Sequence, residues 1–130
     1  MIILVLRTDK PEAELYIFDG QKKLGTHAWQ AHLKLAETLN KEIKKILNKS
    51  SISADKLDGI VCYKGPGSFT GLRIGLSVAN AMAYSYNMPI VATAGENWIQ
   101  NGIKKLTSGQ NNKIALPEYD RPAATTPPRK

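Results

Sequence analysis

The chain has 130 residues, enough for one domain of ordinary size. Its hydrophobic fraction of 42% supports a real core, but its apolar runs are too short for a membrane-spanning helix. A net charge of +7 permits contact with RNA or an acidic protein, while the single cysteine, Cys62, excludes an intrachain disulfide and fits a cytoplasmic protein.

Residues 2–7 are apolar and predict a first strand rather than a signal peptide, because no basic segment and no small-residue cleavage site accompany them. Glu14 to Phe18 alternates and predicts a second strand, Asp19-Gly20 a hairpin turn, and Lys23 to Ala28 a third strand. From Ala31 to Asn48 the period becomes helical, with Leu33, Ala36, Leu39, Ile43, Ile46 and Leu47 on one stripe. Ser50 to Ser53 breaks that helix, and residues 54–57 form a short turn. Residues 59–63 predict a buried strand in which Cys62 is a structural thiol. Leu72 to Asn87 reads as a second helix, Pro89 to Ala92 as a parallel strand, and Gly95 to about Leu106 as a third helix. A polar, flexible stretch follows, then a tail holding four of the seven prolines. The expected division is therefore a lobe over 1–108 and a linker with a Pro-rich tail over 109–130.

The order β-β-β-α-β-α-β-α combines an antiparallel meander with right-handed β-α-β crossovers. It is the order of an α/β fold, one lobe of the actin/Hsp70-like (ribonuclease H-like) class.

The unusual segment joins the fourth strand to the second helix: Gly65-Pro66-Gly67-Ser68-Phe69-Thr70-Gly71-Leu72-Arg73-Ile74-Gly75. Glycine reaches positive φ cheaply and proline fixes φ, so the chain can reverse sharply there. Ser68 and Thr70 are N-cap types. Two readings follow. Gly65, Gly67, Ser68 and Thr70 could form an anion-binding turn at a helix N-terminus, or a capped turn with nothing bound. Behind it, Gly71, Gly75, Ala79 and Ala83 recur every four residues, with Leu72 and Met82 beside them. Such a stripe admits close packing, and from the residues alone packing within the chain is favoured over a subunit interface.

Residues 65–75, with His32 opening the first helix and Pro89-Ile90-Val91 downstream, resemble the bacterial TsaB (YeaZ) proteins. The motif is long and specific; weaker similarity extends over residues 1–106. The resemblance implies a noncatalytic subunit in making threonylcarbamoyladenosine in tRNA, beside the anticodon. It implies a heterodimer with a TsaD-like enzyme, a TsaE-like ATPase in the complex, and tRNA reached through that complex. It also turns the small-residue stripe into a partner surface of His32, Leu35, Leu39, Gly71, Leu72, Gly75, Ala79, Met82 and Ala83, which could equally pair two copies. The chain departs from the family in lacking an obvious second lobe, whether by internal deletion or truncation. Its tail, Pro117 to Arg121, resembles the family's C-terminus. Where the family has Asp-Thr-Ser after the first strand, this chain has Arg7-Thr8-Asp9.

No catalytic residue, metal site or cofactor is expected. Arg7 stands where ATP-binding members of the superfamily place a magnesium-organising Asp, and its charge would repel a metal. His27 and His32 are five residues apart, which on a helix separates them by about 140°, and His27 falls on a strand. Neither ATPase nor glycoprotease activity is expected. Two other readings are a small anion- or nucleotide-binding module and a direct tRNA-binding protein. Its lysines, among them Lys41, Lys44, Lys45, Lys104 and Lys105, lack aromatic interleaving and read as a solvated face.

Overall fold

The computed structural model describes residues 1–118. Five strands, β1 (Ile2–Arg7), β2 (Glu12–Asp19), β3 (Lys22–Gln30), β4 (Gly59–Tyr63) and β5 (Ile90–Thr93), form one sheet in the order β3-β2-β1-β4-β5. β1 pairs antiparallel with β2 and parallel with β4, so the chain leaves β1 in one direction and reaches β4 and β5 in the other. Three helices, α1 (Leu35–Lys49), α2 (Phe69–Ser85) and α3 (Trp98–Thr107), complete the predicted order. This is one actin/Hsp70-like lobe. No helix among the described residues is long and apolar enough to cross a membrane.

The element boundaries differ from expectation for local reasons. β2 and β3 extend beyond their alternating cores because every residue from Glu12 to Asp19 finds a partner across the hairpin, whose turn places Gly20 at φ +59°. α1 begins after a single 3₁₀ turn at His32–Lys34. α2 begins at Phe69 rather than Leu72, because the Ser68 hydroxyl accepts a hydrogen bond from the Gly71 N–H at 3.4 Å and caps the helix there.

Alternation along the strands sorts the core into two layers. Leu4, Leu6, Leu15, Ile17, Ile60 and Ile90 face α1 and α2. Ile3, Val5, Val61 and Val91 face Trp98, Ile103 and Leu106 of α3. β1, β4 and β5 are thus buried on both faces, as central parallel strands are. Gly102 lets α3 sit directly on Val61; a Cβ at that position would lie 2.9 Å from Val61 Cγ2. Cys62 is fully buried, and burial pushes its thiol well above the ordinary range, which leaves it inert.

α1 is tied to β3 by polar contacts. His27 Nε2 and Glu42 Oε1 lie 2.5 Å apart, and Lys45 Nζ reaches the other Glu42 oxygen at 3.3 Å. The Trp29 indole N–H donates to the Thr38 hydroxyl at 3.0 Å, and that hydroxyl donates to the Lys34 carbonyl at 2.8 Å. Glu42 is a buried carboxylate, and its contacts explain why burial is tolerated.

Residues 109–118, expected as the start of a flexible linker, carry no helix or strand yet are held as a strap. The Asn111 and Asn112 side-chain carbonyls accept the Ile90 and Ala92 N–H groups at 3.0 and 2.9 Å, and Asn112 N–H donates to the Ile90 carbonyl at 2.8 Å. Two asparagines therefore stand in for a sixth strand and cover the outer edge of β5. Ala115 is buried and exchanges two hydrogen bonds with the Asn80 side chain, at 2.7 and 3.0 Å. The Pro-rich tail from residue 119 lies outside the described residues.

The hydrogen bond from His27, helped by Lys45, holds the Glu42 carboxyl below its ordinary value of 4.5. A carboxylate whose folded value is depressed stabilises the fold above its unfolded value, and that contribution is lost as pH falls through the folded value. Glu42→Gln should therefore shrink the difference in unfolding free energy between pH 7 and pH about 3, measured by urea denaturation, while costing about 1–3 kcal/mol at pH 7.

Candidate functional site

In open α/β sheets the functional crevice lies beyond the carboxyl ends of the parallel strands, where the chain departs in opposite directions. Here that place is the end of β1 and β4, where residues Thr8 to Pro11 meet the turn over 65–68. The turn is not an empty cradle. Gly67 lies over Asp9: a Cβ on it would stand 2.5 Å from Asp9 Cβ and 2.7 Å from Asp9 Oδ2. The Ser68 N–H donates to the Asp9 carbonyl at 3.3 Å. Gly65, at φ +116°, abuts the carbonyl of Glu118, whose own N–H donates to the Lys64 carbonyl at 2.6 Å. The space that the glycines open is filled by the chain's own backbone and by Asp9. Of the two readings of Gly65, Gly67, Ser68 and Thr70, the capped turn accounts for the contacts seen: Ser68 is the cap, and Thr70 is an exposed first-turn residue beside a hollow of about 470 Å³ that Asp9, Ser68 and Gly71 also line.

Asp9 is itself occupied. Arg7 Nε donates to Oδ1 at 2.7 Å and Arg7 Nη2 to Oδ2 at 3.2 Å, a two-pronged pair on a nearly buried carboxylate. The Arg7 guanidinium stacks 3.9 Å from the Tyr63 ring centroid, which fixes the fork from behind. Besides the repulsion its charge would exert on a metal, Arg7 takes both oxygens of Asp9. Among the described residues no group of three or more His, Cys, Asp or Glu side chains is positioned to hold a metal ion. His27 is committed to Glu42, and His32 is exposed at φ 44° with its backbone N–H on the Pro11 carbonyl at 3.0 Å.

The small-residue stripe faces inward. Gly71 abuts the Thr8 carbonyl and Gly75 the Thr8 hydroxyl, and that hydroxyl donates to the Gly71 carbonyl at 2.8 Å. Leu35, Leu39, Leu72, Gly75, Ala79 and Ala83 are all buried within the chain. Placing them at a partner surface is therefore corrected: they are the seat of α2 on β1 and α1, not its outer face. Of the expected surface only His32 is exposed; Gly71 and Met82 are half-buried. The outer face carries a second four-residue series, Ile74, Val78 and Met82, all half-buried. With Ala36 and Phe69 it lines a hollow of about 450 Å³ between α1 and α2, continued by one of about 370 Å³ around Asn40, Ala81 and Tyr86. The spacing of Ile74, Val78 and Met82 is visible in the sequence; what hid its significance is that it runs beside a more conspicuous series of glycine and alanine.

The approach of α2 to Thr8 sets a testable coupling. Gly75→Ala pushes a methyl into the Thr8 side chain and should cost about 1–3 kcal/mol. In a Thr8→Ala background the hydroxyl and methyl are gone and only the Cβ, 3.0 Å away, remains, so the same change should cost clearly less. A double-mutant cycle by chemical denaturation should give a coupling of about 0.5–3 kcal/mol.

Residues 20–104 match the family described as TsaD, tRNA N6-adenosine threonylcarbamoyltransferase. The tRNA threonylcarbamoyladenosine biosynthesis protein TsaB of Bacillus subtilis (strain 168) is 39% identical over 61 residues, which cover 46% of this chain and 27% of that protein. The tRNA N6-adenosine threonylcarbamoyltransferase of Geotalea uraniireducens (strain Rf4) is 38% identical over 73 residues, covering 56% of this chain and 20% of that protein. The structure of YeaZ from Pseudomonas aeruginosa superposes with a TM-score of 0.66 at 24% identity, over 72% of this chain and 43% of that one, a likeness in fold. The chain thus spans less than a third of the length of these two curated relatives. With well over half of its residues matched, the chain belongs to the TsaD family and carries the fold of its TsaB/YeaZ relatives.

Proposed function

We propose that this chain acts in tRNA threonylcarbamoyladenosine biosynthesis as a noncatalytic subunit that docks on a TsaD-like partner, with a TsaE-like ATPase joining the complex and tRNA met through it. The observation that carries this reading is the apolar strip Ile74, Val78 and Met82, half-open beside Ala36 on the outer face of α1 and α2. Such a strip loses water when a second helix pair is laid across it. The committed state of the strand-end crevice supports the noncatalytic part: Asp9 is forked by Arg7, and the glycine turn is filled by Asp9 and Glu118. The same two features weigh against a nucleotide bound at that turn. TsaB of Bacillus subtilis, named for the biosynthesis itself, is similar to 46% of this chain.

Size-exclusion chromatography of the chain mixed with a TsaD-like protein tests the proposal. Co-elution is expected, and Val78→Glu should weaken it about tenfold or more, because a carboxylate would be buried without a partner. Co-elution that survives Val78→Glu and Ile74→Glu unchanged, or no co-elution at all, would refute docking through this face. A homodimer that dissociates with the same substitutions would show the strip pairing two copies instead.

A further inference from the structure

Another hollow, of about 500 Å³, lies along the outer edge of β5 between α3 and the strap. It shares no lining residue with the α1–α2 face. Lys64, Asn101, Lys104 and Lys105 border it, together with residues 92–94 and Glu118. Three lysines and an asparagine thus line one concavity whose lining includes a single acidic residue. That acid is poorly committed: Glu118 Oε1 stands 3.7 Å from Lys64 Nζ, with the two side chains 57% and 37% exposed, a pair that water largely screens. Among the described residues Lys104 and Lys105 have no acidic partner. Their place in the last turn of α3 complements the helix dipole, but this does not explain why Lys64, from the end of β4, borders the same hollow.

We propose that this hollow binds phosphate groups, with Lys64, Lys104 and Lys105 as the charged receptors, Asn101 as a further donor, and Glu118 as an internal anion that the ligand displaces. Lysines present point charges suited to several phosphate oxygens, with no arginine among the lining residues to favour a planar carboxylate. Phosphate chemistry has two sources, an RNA backbone and a free polyphosphate, and the test separates them. Glu118 gives the test a second arm, because loss of an anion that the ligand must displace should tighten binding.

The probes are a fluorescently labelled tRNA transcript, read by anisotropy across a salt series, and inorganic tripolyphosphate, read by calorimetry. The expected result is saturable binding of at least one probe. Lys104→Ala/Lys105→Ala should weaken it about tenfold or more and lower the log–log salt slope with tRNA by about 2. Glu118→Gln should tighten it. Binding of tRNA alone assigns the site to an RNA backbone, and binding of both probes assigns it to phosphate as such. No binding of either probe at low salt, binding indifferent to the two lysines, or a Glu118→Gln protein that binds no more tightly would overturn the proposal.

Discussion

The contact on which the rest of this lobe depends is the seating of α2 on the end of β1. Gly67, Gly71 and Gly75 lie four residues apart and meet, in turn, the Asp9 side chain, the Thr8 carbonyl and the Thr8 hydroxyl. No side chain fits between helix and strand at these points. The hydroxyl of Thr8 returns the contact by donating to the Gly71 carbonyl. Glycine within a helix costs about 1 kcal/mol relative to alanine, and this approach is what offsets it. The same seat brings the Ser68 cap over Asp9 and aligns α2 against α1.

Two consequences reach the chemistry. With its backbone carbonyl under the Ser68 N–H and its carboxylate in the Arg7 fork, Asp9 is spent on structure. Tyr63 backs the fork, so the carboxylate beside the strand-end crevice is braced in place. With its small residues turned inward, α2 leaves Ile74, Val78 and Met82 packed against the core on one side and half-open on the other. The fold spends one helix face on close packing and leaves the other half-open.

The sheet edges are treated differently. β5 is covered by Asn111 and Asn112, whose side chains take the hydrogen bonds a sixth strand would take. The strap then pins Ala115 to Asn80 of α2 and delivers Glu118 to the turn at Gly65. α2 and the turn before it are therefore held from two directions, by Thr8–Asp9 below and by the strap alongside. A composition rich in Asn, Lys and Ser reads as a solvated linker, and nothing local distinguishes that from asparagines aimed at an exposed strand edge.

The sequence by itself determined the element order, the parallel and antiparallel pairing, and the family, because these rest on period, turn chemistry and an uncommon eleven-residue motif that are local properties of the chain. The Asp19-Gly20 turn, the buried run of β4 and the capping serine were all legible in this way. Which face of α2 is buried was decided only by tertiary structure. A Gly/Ala series every four residues says that something approaches closely, but it carries no information on whether that neighbour is Thr8 of the same chain or a residue of another. The partner of Asp9 was hidden for the same reason: Arg7 is two residues away in the chain, and only the strand's pleat and the Tyr63 ring put both prongs of its guanidinium on that carboxylate.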